Sequence, residues 1–206
     1  MDKIPEAPPD RKMKYQIIYC DPPWDYKGQT QTGKSKFKGS TFRGGTTVKT
    51  GGAASHYSTV PVHRLKDLDV QSVADSDCLL FMWATSPHLD QAIDLLKSWG
   101  FKWATIGFVW NKCRTNPGFY TMSQCEICLI GKKGKIPQPR GARNIRQLVN
   151  WPREKHSKKP DDVRKRIEQM FPTQDKIELF ARNKNEGWDV WGEEVQSDVE
   201  IEWMRR

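Results

Sequence analysis

Short apolar runs that alternate with amphipathic segments are the feature that most constrains the fold of this chain. The runs predict buried strands at Tyr15–Cys20, 77–84, 103–110, 123–130 and 176–181. Helices are predicted at 62–70, 87–99 and 160–170, and weaker strands at 145–151 and 188–191. Strands that alternate with helices predict an α/β fold with a mainly parallel sheet, which binds its ligand at the carboxyl ends of the strands.

The length and the cysteines limit the domain organisation. A chain of 206 residues is long enough for one domain with a full core and short for two. We therefore expect a single domain, 1–206, that begins with an irregular arm at 1–12. The close pair Cys125 and Cys128 lies in an apolar run without a second pair at zinc spacing, so we predict no metal site. Without a leader, a membrane-length apolar run or a disulfide pattern, we expect a cytoplasmic location in a reducing compartment.

Basic residues are concentrated in two segments, which makes nucleic acid the expected partner. The formal net charge is +9, and residues 132–166 contain thirteen Lys or Arg but three acidic residues. We call residues 27–55 the first basic loop and residues 132–159 the second basic loop. Either could be a solvated, disordered loop, but two such loops beside a catalytic motif favour phosphate binding. We expect both on the Asp21 side of the sheet, and the candidate contacts are Lys38, Arg43, Arg140, Arg143 and Arg146.

The motif that carries chemistry is Asp21, Pro22, Pro23 and Trp24, directly after the first strand. An exocyclic amine on a nucleobase is a poor nucleophile because its lone pair is delocalised into the ring. The Asp21 carboxylate and the Pro22 carbonyl, which we expect to be free, can accept hydrogen bonds from that amine in a turn that the prolines rigidify. Trp24 offers a face for base stacking. The alternative is a plain turn, which the position after a buried strand and before a basic loop disfavours.

Several further motifs occur in a recognisable order, and with them the sequence resembles the MT-A-type adenine N6 methyltransferases. That family includes the catalytic subunit of the eukaryotic mRNA adenosine methyltransferase and bacterial and phage DNA-modifying relatives. The resemblance covers residues 15–192. Besides the Asp21 tetrad, its motifs are His56-Tyr57-Ser58-Thr59, Leu80-Phe81-Met82-Trp83, Trp110-Asn111-Lys112, the segment 126–131, Ser157-Lys158-Lys159-Pro160-Asp161 and the segment 176–182.

The resemblance implies a Rossmann-like class I methyltransferase fold with a permuted motif order and S-adenosyl-L-methionine as cofactor. Lys159 matches the family's lysine at the methionine carboxylate of the cofactor, and Arg182 and Asn185 match residues that contact its ribose. Asp21 and Glu193 are also predicted to bind the cofactor. Tyr57 would lie on the substrate side. Two departures weaken the match, because Lys184 stands where the family has His, and Glu193 with Glu194 stands where it has Asn-Gln at the adenine of the cofactor.

Three other functions remain open at this stage. A catalytically silent, nucleic-acid-binding partner subunit would be expected to have lost Asp21 or Lys159, and both are present. Cytosine N4 methylation poses the same chemical problem on a smaller base. A plain nucleic-acid-binding protein would need neither the tetrad nor the 176–182 strand. We favour DNA over RNA because no accessory RNA-binding module is evident; no obligatory protein partner is evident either, and a homodimer is compatible with the sequence.

Overall fold

The computed structural model describes residues 14–24, 60–116, 120–154 and 158–204. Its strands are β1 (Tyr15–Cys20), β2 (Ala74–Ala84), β3 (Lys102–Asn116), β4 (Ser123–Lys133), β5 (Leu148–Asn150), β6 (Lys176–Leu179) and β7 (Asp189–Trp191). Its α-helices are α1 (Val62–Leu65), α2 (Leu89–Ser98) and α3 (Asp161–Met170), with 3-10 turns at Val70–Ser72 and Ser86–His88.

All of these strands belong to one sheet, in the order β5-β3-β4-β2-β1-β6-β7. Only β4 runs antiparallel to its neighbours, and every other pairing is parallel. This confirms the mainly parallel, Rossmann-like α/β fold that the alternating pattern predicts. In β1, Cys20 pairs with Met82 of β2 and with Leu179 of β6. The chain therefore leaves β1 at Asp21, between two parallel neighbours, on the carboxyl edge of the sheet.

Helices cover both faces of the sheet, which explains why its central strands are apolar at nearly every position. Side chains of β2 point alternately to the two sides, so Leu80 and Met82 join one buried cluster while Phe81 and Trp83 join the other. Helix α2 contributes Ala92, Leu95 and Leu96 to the first cluster. Helix α3 contributes Val163 and Ile167 to the second. The two helices thus pack against opposite faces of the sheet and bury the central strands β1 and β2 between them.

The structure corrects three sequence expectations about the elements. The helix predicted at 62–70 stops at Leu65, because the backbone at Leu68 and Asp69 pairs with residues 202 and 203 near the end of the chain. Strands β3 and β4 are longer than the predicted 103–110 and 123–130. The antiparallel direction of β4 was also not anticipated. Hydrophobic periodicity indicates a strand but carries no information about its direction or its distant pairing partners.

Neither a membrane-spanning helix nor a metal cluster is found in the part of the chain that the structure describes. None of its helices is long and apolar enough to cross a bilayer. Among the same residues, no three His, Cys, Asp or Glu side chains are grouped so that they could hold a metal ion. All five cysteines are free, and Cys20, Cys78 and Cys128 are buried.

A glycine that follows β4 gives a stability prediction away from the candidate site. Gly134 has φ +62°, and a Cβ there would lie 2.2 Å from the Ser76 carbonyl oxygen. Gly134→Ala should therefore lower the free energy of unfolding by about 3 kcal/mol, from backbone strain and steric overlap together. Gly187→Ala is the control, since Gly187 has φ +75° but open space around it, and should cost about 1–2 kcal/mol. Urea unfolding measures both, and equal losses would contradict the overlap.

Candidate active site

The Asp21 carboxylate forms an ion pair with a lysine that arrives from another part of the chain. Lys159 Nζ lies 2.8 Å from Asp21 Oδ2 and 3.1 Å from Glu126 Oε2. Asp21 follows β1, Glu126 lies in β4, and Lys159 precedes α3, so three separate elements build the cluster. Because β2 ends at Ala84 opposite Ile127, Glu126 lies one residue beyond the end of β2, at the same edge as Asp21.

The cluster continues as a row of alternating charges. Lys112 Nζ lies 3.4 Å from Glu126 Oε1, so Glu126 is shared between two lysines. The Lys159 ammonium also lies 5.7 Å from the centre of the Trp83 ring, a cation–π distance. Glu126 was not among the sequence-predicted site residues. The signal that could have identified it is an acidic residue at the start of the apolar run of β4, where only a paired carboxylate is tolerated.

Burial and charge determine the protonation states of these groups. Burial raises the pKa of Asp21, and the positive charges of Lys159 and Arg182 offset only part of this effect. Burial would also raise the pKa of Glu126, but Lys159 and Lys112 together lower it. Burial opposes charge on Lys159, yet the two carboxylates outweigh it and raise the pKa of Lys159. The site therefore keeps a positive charge between two carboxylates, of which Asp21 is the more easily protonated.

The tetrad forms a tight turn rather than an open loop. The Trp24 N–H donates to the Pro22 carbonyl at 2.9 Å, and the Val60 N–H donates to the Pro23 carbonyl at 2.9 Å. The expectation that the Pro22 carbonyl is free is therefore wrong, since the turn itself uses one lone pair. A carbonyl oxygen has a second lone pair, so Pro22 retains one acceptor position. The prolines do end the ladder of β1, as predicted, because β1 stops at Cys20.

The Trp24 side chain packs inside the protein. It is 4% exposed, its indole N–H donates to the Trp83 carbonyl at 3.2 Å, and its ring stacks on His88 at 5.7 Å. The structure thus differs from the expected open stacking face for a base. Its observed contacts anchor the turn against β2 and the segment before α2, which fixes the direction in which Asp21 points.

Arg182 and Glu193 lie near Asp21 along the carboxyl edge, because β1, β6 and β7 are parallel neighbours. Arg182 follows β6, contributes to the electrostatics of Asp21 and pairs with Glu194 at 3.8 Å. Glu193 follows β7 and is exposed. The close approach of the two chain segments requires Gly192, where a Cβ would lie 2.3 Å from the Ala181 carbonyl oxygen. Both residues thus lie on the edge that carries Asp21, and their predicted cofactor contacts stay predictions.

Asn185 occupies the opposite edge of the sheet. It lines a surface cavity with Tyr15, Lys176 and Asp189, which are the first residues of β1, β6 and β7. Asn185 therefore lies towards the amino ends of these strands, whereas Asp21 follows the carboxyl end of β1. The predicted cofactor contact of Asn185 stays a prediction. Strands β6 and β7 are parallel and are joined by a short connection. The chain must therefore return to the amino edge of the sheet before β7 begins, and Asn185 lies on that return. A sequence match three residues from Arg182 could not reveal that return.

The second basic loop begins on the side away from Asp21. Since β4 is antiparallel, its end lies at the amino edge, where Lys133 pairs with Cys78. Arg140 lies there too, with its guanidinium 5.3 Å from the Phe171 ring beyond the end of α3. From there the chain returns towards the carboxyl edge, and Arg143 is exposed in this segment. Arg146 lies just before β5, whose first residue pairs with Val109 of β3 near the Asp21 edge. The expectation that this whole loop lies beside Asp21 is therefore wrong for Arg140.

Some predicted positions lie outside the described residues. They are the arm at 1–12, Lys38, Arg43, Tyr57 and the first basic loop at 27–55. Their predicted roles stay predictions.

Comparison with known proteins agrees with the geometry. The profile of the MT-A70 family matches residues 15–194. The chain is 49% identical over 203 residues, 98% of this chain and 86% of the relative, to "Type II methyltransferase M.MunI" from Mycoplasma sp. It is 27% identical over 192 residues to "N(6)-adenosine-methyltransferase MT-A70-like" from Arabidopsis thaliana, covering 88% of this chain and 24% of that protein.

A human relative shows the same pattern. The chain is 24% identical over 191 residues to "N(6)-adenosine-methyltransferase catalytic subunit METTL3" from Homo sapiens, which covers 88% of this chain and 28% of the relative. The chain thus spans about a quarter of the length of these plant and human relatives. With a family match over nearly its whole length, and with the Asp21–Lys159–Glu126 cluster at the carboxyl edge of its sheet, the chain belongs to the MT-A70 family of methyltransferases.

Proposed function

We propose that this enzyme transfers a methyl group from S-adenosyl-L-methionine to N6 of adenine in DNA. The observation that carries the proposal is the position of Lys159, which lies 2.8 Å from Asp21 and 3.1 Å from Glu126 at the edge where parallel sheets bind ligands. The preference for DNA is supported by the similarity to the Type II methyltransferase, which extends over most of both chains. The basic charge of the chain supports a nucleic-acid substrate in general.

The residues present fit the cofactor. An ammonium group has three donors, and Asp21 and Glu126 occupy two directions around Lys159. The third can meet the carboxylate of the methionine part, close to the start of α3, whose first backbone N–H groups favour an anion. When bound, the cofactor supplies the electrophilic methyl group. Arg182, which follows the neighbouring strand β6, would contact the ribose, as the family resemblance implies.

Asp21 and Pro22 would act on the amine. Lys159 pairs with Asp21 through Oδ2, so Oδ1 can accept one amine N–H, while the second lone pair of the Pro22 carbonyl accepts the other. These two acceptors draw the amine lone pair out of conjugation, and the rigid turn keeps them in place before the transition state forms. Because burial raises the pKa of Asp21, its carboxylate is also suited to take the proton that the methylated amine must lose.

The decisive experiment is transfer from labelled cofactor to unmethylated duplex DNA and to RNA, followed by identification of the methylated nucleoside. Recovery of N6-methyl-2′-deoxyadenosine from the DNA would support the proposal. N4-methylcytosine would assign the enzyme to the other exocyclic amine. Transfer to RNA alone would overturn the DNA assignment, and cofactor binding without transfer to any nucleic acid would indicate a silent subunit.

The raised pKa of Asp21 predicts the pH dependence of the reaction. Asp21 is active as a carboxylate, so kcat/KM should fall as the pH decreases through its pKa, and this acid limb should lie above the range of an ordinary aspartate. The negative charge of Glu126 contributes to the raised pKa. In Glu126→Gln the acid limb should therefore move to lower pH. Glu154→Gln, which alters an exposed pair with Lys158, is the control, and a limb that moves equally in both variants would refute the assignment.

We further propose that the chain acts as one catalytic domain in the cytoplasm and needs no second protein for activity. The described strands form one continuous sheet, which supports this organisation. Light scattering of the active enzyme distinguishes a monomer from the homodimer that the sequence also allows.

A further inference from the structure

Strands β3 and β4 continue past the rest of the sheet on the side of Asp21. Strand β2 ends at Ala84 opposite Ile127 of β4, whereas β3 and β4 stay paired beyond it as far as Asn111 opposite Cys125. After an irregularity in β3 they pair once more, at Asn116 opposite Ser123. We call the described residues 112–116 and 120–125 the hairpin arm. At about 3.3 Å per residue, Ser123, the first residue of β4, lies roughly 10 Å along the strand beyond Glu126, and Met122 precedes it. The hairpin arm therefore extends past the end of β2, at the edge of the sheet that carries Asp21 and Glu126.

The end of the hairpin arm carries exposed apolar and aromatic side chains. The Tyr120 side chain is fully exposed, and Met122 is 58% exposed. Large side chains of this kind are costly to leave in water and often mark a binding surface when they cluster. Arg114 on the opposite strand is exposed as well, and the sequence contains no Asp or Glu between Asn111 and Cys125. Exposed apolar side chains beside a basic residue, without a nearby acidic residue in the sequence, are complementary to duplex DNA, a polyanion whose stacked bases form an apolar interior.

The base of the hairpin arm is held firmly. Asn111 Oδ1 accepts hydrogen bonds from the Cys113 N–H at 3.0 Å and from Gln124 Nε2 at 2.8 Å. Asn111 Nδ2 donates to Asn150 Oδ1 of β5 at 2.8 Å. Cys113 adopts φ 53°, a left-handed conformation that redirects the strand and is costly for a residue other than glycine. One side chain thus connects β3, β4 and β5 below a local bend, which gives the projecting segment a fixed direction.

We propose that the hairpin arm enters duplex DNA beside the target adenine, and that Tyr120 and Met122 fill the space that the adenine vacates when it turns into the active site. This inference rests on the proposed function and extends it to a double-stranded substrate. A base inside a duplex cannot reach Asp21, so it must leave the stack, which costs a few kcal/mol. Apolar side chains inserted between base steps offset part of that cost, and a projection of this height exceeds the depth of a groove, about 8.5 Å.

The test compares duplex DNA with the same DNA in single strands. The substrates are unmethylated plasmid DNA, linearised, before and after heat denaturation, with labelled S-adenosyl-L-methionine. In the full chain, the double variant Tyr120→Ala with Met122→Ala should lose at least about tenfold in kcat/KM on the duplex. On denatured DNA, where no stack is opened, it should lose less than about threefold. Trp103→Ala is the matched control, since Trp103 is a 49% exposed aromatic at the other end of β3.

Each other outcome identifies what has failed. Equal losses on both DNA forms, or none on the duplex, would overturn the role of the hairpin arm while leaving the methylation of DNA intact. A wild-type dimer that becomes a monomer in the double variant would assign the same side chains to a subunit contact and overturn the inference. Transfer by the wild-type enzyme to neither DNA form would overturn the proposed function, and this inference with it.

Discussion

Asp21→Ala is expected to reduce kcat for methyl transfer by at least about 10²–10³-fold, the usual consequence of losing one preorganised contact to a transition state. The variant removes the carboxylate that would accept the amine N–H, whereas Lys159 keeps its 3.1 Å contact with Glu126. Cofactor affinity should therefore remain within several-fold of the wild-type value. Single-turnover transfer to DNA measures the first quantity, and calorimetric titration with S-adenosyl-L-methionine measures the second.

Two variants make this result specific. Asp21→Asn keeps the size and one acceptor oxygen but loses the negative charge, and should be nearly as impaired if the charge matters. Asp94 lies on α2, and Asp94→Ala, which removes its ion pair with Lys66, should leave turnover unchanged. Near-normal kcat in Asp21→Ala would exclude Asp21 as the acceptor of the amine.

Lys159→Met is expected to have the largest effect on stability. Lys159 lies between two carboxylates, and its side chain is 13% exposed. Removing one partner of a buried ion pair leaves uncompensated charge and costs about 3–5 kcal/mol in the free energy of unfolding. Cofactor binding should also weaken by about 1.5–3 kcal/mol, the scale of a hydrogen bond to a charged group. Urea unfolding at neutral pH and calorimetric titration measure the two effects.

The neighbouring lysine provides the control for this variant. Lys158 is 43% exposed and pairs with Glu154 and Asp161 at the surface, so Lys158→Met should cost about 1 kcal/mol or less. Lys159→Met leaves Glu126 paired with Lys112, whereas Asp21 loses its ion pair. Adding Asp21→Asn therefore removes the uncompensated charge and should restore part of the lost stability without restoring cofactor affinity. If Lys159→Met and Lys158→Met are equally stable, the buried cluster contributes nothing to folding.

The sequence by itself determined the class of the fold and the position of the catalytic turn. Apolar runs of strand length between amphipathic segments are compatible with few arrangements other than a mainly parallel sheet covered by helices. The tetrad could be located because prolines must end the ladder of β1, and the chemistry of Asp21 follows from its carboxylate. Each of these inferences depends on residues that are neighbours in the chain, or on a regular period along it.

Only the tertiary structure decided which distant residues meet. Glu126 joins Asp21 and Lys159 because β4 lies next to β2 and Glu126 is its first residue past the end of β2, a matter of register that periodicity does not encode. The direction of β4 also moves Arg140 to the far edge of the sheet, and the return before β7 moves Asn185 there. Turn geometry occupies a lone pair on the Pro22 carbonyl. Strand direction, register and long-range hydrogen bonding arise from the packing of the whole chain, so local sequence could not fix them.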